Sequence, residues 1–465
     1  MNFSRRWNFL KHALKKFDNR FSSIQIIVFY YLAMTVLALL LFYLPFFRQP
    51  NSHVPFVDMV FMAISTISVT GLTTFNINSV FNDAGVVMLE LLFHIGGLGI
   101  MMISTFFFIV SKRRISLKQR QLIMTDMNQP RLSGIVRLIK ITFTFILVIE
   151  FLFGVIFAIY FLVNGYYTSI SRALFYGFYQ AISAVTNSGF DVTGVSIIPF
   201  SKDSFFIINI MFLIFLGGIG FPVLMDVYGW FQNKKAPTKL PYRFTLFSKI
   251  ALLAFIILFV GGTILIWLLE RHHIFKDMNG FDQWLNSAFY SMTTRNAGLQ
   301  IHDLRNFQST TLIIFSLLMF IGCSPSSVGG GIRTTTVAII GLYLYSFLKN
   351  ENDINIFGRK IPQADVRKSV VVFMLSAGMC FFSILFLTAT ENHSLIAIIV
   401  EVTSAFGTTG LSLGITADLS VTGKIMIALL MFIGRIGMLY TLSLFVPKET
   451  RDLGYEYPEE KIIIG

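Results

Sequence analysis

Charge is scarce in this sequence. Only 13% of its 465 residues are Asp, Glu, Lys or Arg, about half of the ~25% usual in soluble domains. Cysteine is nearly absent. Cys323 and Cys380 both lie in apolar surroundings, so neither a disulfide framework nor a metal site is readable, and both are expected to be small buried residues. The seven histidines are scattered, no HExxH occurs, and the acids show no paired spacing. The usual grounds for an intramembrane enzyme are therefore missing. No GxGxxG opens a βαβ unit, and GGLGIMM fails the pattern, so no Rossmann domain that would bind a regulatory nucleotide is expected in this chain.

What is present in excess is apolar. The chain is 55% hydrophobic, has 51 Phe and a mean hydropathy of +0.71. Its many apolar runs of about 20 residues have the length that crosses a bilayer. The expectation is an all-α polytopic membrane protein. A net charge of +13 would suit nucleic acid or anionic lipid, and its distribution decides. Residues 1–21 carry Arg5, Arg6, Lys11, Lys15, Lys16 and Arg20, and further basic clusters recur at Lys112–Arg120, Lys234–Arg243 and Lys349–Lys368. By the positive-inside rule these segments and both termini are cytoplasmic. Topology accounts for the charge, and no nucleic-acid surface is required. Residues 1–21 lack a cleavage site. Trp7, Leu10, Leu14 and Phe17 step by three and four, which fits an amphipathic helix on an anionic membrane surface or a plain basic lead-in.

Four short segments resemble one another: SVTGL, TNSGF, RNAGL and TTGL, with glycines Gly71, Gly189, Gly298 and Gly410 spaced 118, 109 and 112 residues apart. A second motif follows each: HIGGLG from His94, FLGGIG from Phe215, FIGCSP from Phe320 and FIGRIG from Phe432. Gly96, Gly217, Gly322 and Gly434 stand 25, 28, 24 and 24 residues after the first glycines. Two motifs recurring four times at matched offsets mark a fourfold internal repeat. Each unit reads as a long apolar helix (about 23–46, 137–163, 244–269, 369–390), a half-helix too short to span (about 55–67, 170–184, 281–293, 393–405), a glycine strip, and a second apolar helix (about 83–111, 203–231, 308–347, 420–446). The architecture expected is four pseudo-repeated helix–pore-loop–helix units around a central pore, with eight transmembrane spans. The divisions are a basic lead-in at 1–21, repeats at 22–120, 121–243, 244–360 and 361–447, and a cytoplasmic tail at 448–465.

Non-helical backbone at membrane depth is tolerated only where protein buries it or water lines it. Four equivalent strips meeting on one axis would stack their carbonyls into rings, which replace the hydration shell of a cation. Glycine adopts the unusual backbone angles at no steric cost. The candidate ion-binding residues are Val69, Thr70 and Gly71; Asn187, Ser188 and Gly189; Asn296, Ala297 and Gly298; Thr408, Thr409 and Gly410. None is ionised, so selectivity would rest on main-chain dipoles. The half-helices would aim their C-terminal ends at the axis, where partial negative charge favours a cation; Asp58 and Asp282 lie near the opposite ends. Arg295, inside the third strip, would have to turn away and pair behind it. A secondary transporter with broken helices is the rival reading, disfavoured because the four units share one topology.

These motifs, with TTRNAG, SAFGTTGLS and the interrupted third-repeat span, resemble the Ktr/Trk/HKT family of potassium transporters over essentially the whole chain. Within it the sequence, including the tail YEYPEEKIIIG, is most similar to the bacterial Ktr membrane subunits. The resemblance implies potassium uptake across the bacterial cytoplasmic membrane, with K+ held at Gly71, Gly189, Gly298 and Gly410. It also implies a homodimer and a separate cytosolic nucleotide-binding ring. Some plant relatives that prefer sodium carry Ser at the first position, where this chain keeps Gly71.

The stretch CSPSSVGGGIR interrupts the second helix of the third unit, where the other units are expected to be continuous. Pro325 removes a backbone donor, and Gly329, Gly330 and Gly331 are costly in a helix. The span is expected to break into two half-helices joined by a loop at 322–331. The resemblance gives that loop the role of an intramembrane gate, carried by Cys323, Ser324, Pro325, Ser326, Ser327, Gly329, Gly330 and Gly331. Arg435, roughly 18 Å inside the membrane by helical rise, is either a positive barrier, a hydrogen-bond donor to the loop, or paired with buried carbonyls or Glu401. Arg333 is a candidate loop anchor. Glu90, Glu150 and Glu401 are further intramembrane acids, and Glu401 is placed to brace the fourth strip. His94 is expected to be packed rather than catalytic.

Overall fold

The computed structural model describes residues 22–50, 52–99, 115–126, 134–235 and 241–445, with 458 and 460. The expected N-terminal helix at 1–21, most of the C-terminal tail, Lys112, Arg113, Arg114 and Lys239 lie outside the described residues.

Among the described residues, four single helices are long and apolar enough to cross a membrane: α1 (Ser23–Phe42), α5 (Ile135–Val163), α9 (Leu246–Glu270) and α13 (Gln363–Thr390). Less than half of each apolar window is buried within the chain. The rest presents residues such as Leu40, Phe151, Ile257 and Phe382 outward, which is a lipid-facing surface in a chain of this composition. Each is followed by a shorter amphipathic helix: α2 (Phe56–Ser68), α6 (Ile170–Thr186), α10 (Gly280–Thr293) and α14 (Leu395–Gly407). Three of these begin with defined signals. Asp58 sits in the first turn of α2, Asn279 caps α10 and Ser394 caps α14, as helix N-termini favour.

The second helices are α3 (Asp83–Leu98), α7 (Ser204–Gly218), α11 (Ser309–Ile321) and α15 (Val421–Ile436). None continues as one rod. Helix α7 bends by 100° into α8 (Phe221–Lys235). Helix α15 stops at Gly437 and resumes as α16 (Met438–Phe445). Helix α11 is separated from α12 (Thr334–Leu348) by twelve non-helical residues. Continuous second helices at 203–231 and 420–446 are therefore corrected, and the helix expected over 83–111 is interrupted at Gly99, with 100–111 lying outside the described residues. The physical cause recurs: Gly99, Gly220, Gly322 and Gly437 have φ of +90°, +97°, +59° and +98°, which no right-handed helix accommodates. Pro222 adds to the bend after α7 by lacking a donor. Between α3 and α5 lies α4 (Leu117–Asp126), and a two-residue hairpin, Asn355–Ile356 with Arg359–Lys360, connects α12 to α13.

The second helices close a circle. Helix α3 packs on α2 of its own unit and on α6 of the next; α7 packs on α6 and α10; α11 packs on α10 and α14; α15 packs on α14 and returns to α2. Lys424 of α15 meets Asp58 of α2 at 2.8 Å across the closing seam. Packing is close because the first glycine of each motif leaves no room. A β-carbon on Gly96, Gly217 or Gly434 would overlap the carbonyl of Ile67, Val185 or Phe406. In each case that residue stands four before the unit's strip glycine.

Candidate functional site

The half-helices α2, α6 and α14 end in the same way. The residue two before the strip glycine turns left-handed: Val69 has φ +58°, Asn187 +51° and Thr408 +51°. The next amide then reaches back to the last turn, Thr70 to Ser65 (2.9 Å), Ser188 to Ser183 (3.0 Å) and Thr409 to Ser404 (2.8 Å). This is the Schellman pattern, which ordinarily recruits glycine or asparagine. Branched side chains in it cost of order 1–3 kcal/mol. Helix α10 ends differently, with Thr294 still helical and Asn296 at φ +82°. Hydroxyl pairs hold the turns from behind: Ser68 with Thr70 at 2.7 Å, and Ser183 with Ser188 at 2.9 Å. Thr293 Oγ1 donates to Leu299 O at 2.8 Å in the third unit.

Beyond these turns the four strips meet. A β-carbon on Gly71 would strike Ser188 O, on Gly189 Ala297 O, on Gly298 Thr409 O, and on Gly410 Thr70 O. Each glycine also lies beside the next, and the order 71–189–298–410–71 closes a ring. All four have positive φ, between +64° and +93°. Among the described residues, no hydrogen-bond donor reaches the main-chain oxygens of Thr70, Gly71, Ser188, Gly189, Ala297, Gly298, Thr409 or Gly410. The residues preceding the glycines are fully buried, while Gly71 and Gly410 are half-buried. Buried carbonyls without partners are rare, and here six of the eight belong to buried residues of one ring.

Residues 322–333 cross beneath it. The loop belongs to the third unit yet is hydrogen-bonded to the second and fourth and abuts the first. Ser324 and Val328 donate their amides to Gly218 and Gly217 of α7 (3.1 and 3.2 Å), and Ser326 O accepts from Phe221 N (2.8 Å). On the far side Gly331 N reaches Gly434 O (3.3 Å) and Gly330 N reaches Thr408 Oγ1 (2.9 Å). Gly97 of α3 abuts Val328. Below the loop, a cavity of about 420 Å³ is lined by Ser326, Ser327, Arg333, Lys368 and Arg435, among others.

Arg435 donates to Val328 O of the loop and to Gly96 O and Gly97 O (2.7 Å for the last) of α3. It thus ties three units together through carbonyls; it does not pair with Glu401, which binds Ser412 (2.7 Å) and Thr416 (2.5 Å) beyond the fourth strip. Arg295 turns behind its strip as charge repulsion requires. Its guanidinium lies 4.3 Å over the Phe255 ring and donates to Gly322 O (3.0 Å). Arg333 donates to Gly329 O, closing the loop on itself. Pro325 sits in a turn after the helix has already ended, so Gly322 rather than the proline makes the break.

Two features went unforeseen. Cys323, expected only to fill space, donates its thiol to Arg295 O at 2.8 Å and so links loop to strip. Asn296 reaches Gly407 O and Thr408 Oγ1 of the fourth unit (3.3 Å to the hydroxyl), placing a side-chain bridge beneath the ring. Its signal in the sequence was the polar residue two before glycine in three of the four motifs.

The description "TrkH: Cation transport protein" matches residues 23–451. The chain is 45% identical to Ktr system potassium uptake protein D of Bacillus subtilis over 96% of this chain and 97% of that one. It is 33% identical to the potassium/sodium uptake protein NtpJ of Enterococcus hirae over 97% and 99%. The crystal structure of the potassium transporter TrkH from Vibrio parahaemolyticus superposes with a TM-score of 0.72, covering 92% of this chain and 86% of that one at 18% identity. The fold is thus shared, and the family match runs through all four units. With two relatives above 30% identity aligned almost end to end, the chain belongs to the TrkH family of cation transport proteins and is a membrane transporter, not an enzyme.

Proposed function

We propose that this chain conducts potassium across the cell membrane through the ring formed by Gly71, Gly189, Gly298 and Gly410. The observation that carries it is the set of buried carbonyls without donors around that ring. A dehydrated cation supplies the partner that each oxygen lacks, and rings of carbonyls suit potassium. The four units act as helix–pore-loop–helix repeats with eight crossings, each second crossing being broken at its glycine motif. Both termini face the cytoplasm. Residues 322–331 are the gate, since a loop bonded to the second and fourth units and packed against the first obstructs the axis. Arg435 holds that gate in its docked position.

The Bacillus relative's name, a protein of a Ktr potassium uptake system, supports potassium as the cargo and a further component as partner. We infer that the partner is a cytosolic nucleotide-binding ring and that the membrane chain pairs as a homodimer. The Enterococcus relative's name joins sodium to potassium and favours a second reading, a pore permeable to both. The test is rubidium uptake, with sodium as competitor, in cells lacking their own potassium uptake systems. Potassium conduction requires rubidium uptake that excess sodium leaves intact and that Gly71→Ser makes sodium-sensitive. Uptake equally sensitive to sodium in the unaltered chain supports the second reading, and an unaltered preference in Gly71→Ser removes the filter assignment.

A further inference from the structure

Three titratable side chains lie between α3 and α5 and have no part in the ion path described above. Glu90 and His94 are one turn apart on α3, and His94 Nδ1 stands 3.5 Å from Glu150 Oε1 of α5. Glu90 lies close enough to act electrostatically on Glu150. Glu90 is the eighth of sixteen residues in α3, and Glu150 the sixteenth of twenty-nine in α5. The two carboxylates are therefore at mid-helix, with His94 one turn further along α3. Ionisable residues there are costly and are by default functional.

The surroundings do not neutralise the cluster. Among the described residues no lysine or arginine pairs with either carboxylate. Among the described residues, Glu90 Oε1 has no hydrogen-bond partner, and Glu150 Oε1 has only the 3.5 Å approach of His94. Helix α6 contributes two polar groups. It runs antiparallel to α5, with Gly177 against Gly154 and Ala158, so Gln180, one turn on, lies within about a turn of the level of Glu150. Gln180 is 6% exposed and its Oε1 also lacks a partner. The other group is Tyr179, which Glu90 and Asp191 influence electrostatically. Placing two carboxylates side by side in a low dielectric costs several kcal/mol, and a bound proton removes one of the charges.

The same helices touch the second strip. Tyr179 donates to Phe190 O at 3.1 Å, one residue after Gly189. Phe93, between Glu90 and His94, stacks on Phe190 at 5.8 Å and meets Tyr179 edge-on at 6.1 Å.

We propose that Glu90, His94 and Glu150 form a proton-binding site inside the membrane whose occupancy acts on the second glycine strip through Tyr179 and Phe93. Its effect on flux rests on that strip lying in the ion path, as proposed above; the binding site itself does not.

The test uses the full chain in proteoliposomes. Rubidium influx is followed from about pH 8 to about pH 5, the range in which histidine clusters change charge. The carboxyl C=O infrared band is recorded over the same range. The expected result is a several-fold change in influx, accompanied by a carboxyl band that grows on acidification. Glu150→Gln and Glu90→Gln each reduce the band and flatten the influx profile. A band identical in the wild type and both variants overturns the site. A titrating band with pH-independent influx overturns the coupling. Influx that follows sodium at constant pH, with the same dependence on Glu150, makes the occupant a metal cation and overturns the proposal. Gly189→Ser separates the two layers: if it leaves influx unchanged while the band still titrates, the ion-path reading fails and the proton site stands.

Discussion

The main-chain oxygen of Ser188 occupies the place where a β-carbon on Gly71 would have to stand. The same relation repeats three more times around the ring, so each strip is packed by the absence of a side chain on its neighbour. Substitution at one glycine therefore acts on two units. Gly71→Ala must relieve both the overlap and a φ of +86°, which for an L-residue costs about 1–2 kcal/mol by itself. Because the overlap displaces the Ser188 carbonyl, rubidium-over-sodium preference should fall, by about tenfold for each 1.4 kcal/mol by which the displaced oxygen weakens rubidium binding relative to sodium. Competitive uptake measures it. Gly341→Ala, where an added methyl group meets nothing within 4 Å, is the control and should leave preference unchanged.

Thr408 Oγ1 accepts from Gly330 N of the loop and from Asn296 of the neighbouring strip. Thr408→Val keeps the shape and removes the acceptor. A lost hydrogen bond is worth about 0.5–1.5 kcal/mol, so the docked loop should lose roughly three- to tenfold in population. Basal flux without a regulatory partner should rise accordingly, and Thr408→Ser should restore it.

Arg435→Met strands the carbonyls of Val328, Gly96 and Gly97, at about 1–3 kcal/mol for each buried group left unpaired. The variant should melt earlier and leak more. Lysine, with a point charge in place of a fork, should recover only part of either property. Melting temperature and partner-free flux, read together, separate a loosened gate from a collapsed fold.

Lys424 and Asp58 join the fourth unit to the first, with side chains only 12% and 13% exposed. Removing one member of a mostly buried pair leaves the other uncompensated, at about 3–5 kcal/mol when burial is complete. Lys424→Met should therefore destabilise the chain more than the double variant Lys424→Met/Asp58→Asn. A thermal-shift double-mutant cycle showing plain additivity would remove this seam as a contributor to ring closure.

Much of this arrangement was legible beforehand, for reasons that can be named. The four half-helices stand out because each is too short to cross a bilayer and each is followed by a polar residue and a glycine. Arg295 was expected to turn away from the axis on charge alone, and it lies on Phe255. The breaks in α7 and α15 were not foreseen. Glycine occurs throughout apolar helices, and nothing local distinguishes Gly437 from Gly261 or Gly378, which sit inside helices; beside Gly220 the one local mark is Pro222. The difference is made by the loop: Gly220 packs against Pro325 O, and Phe221 N is bonded to Ser326 O, contacts more than 100 residues away in sequence.

Composition and periodicity were enough to point to a membrane chain and to four recurring glycine motifs, because these follow from the length of a bilayer and from the conformations that each residue type tolerates. What had to await the folded chain was the contact between units: the cyclic order of the glycines, the carbonyls left unpaired around them, and the loop of one unit bonded to two others and packed against the third. Such contacts join residues far apart along the chain, and no local pattern carries the distance between them.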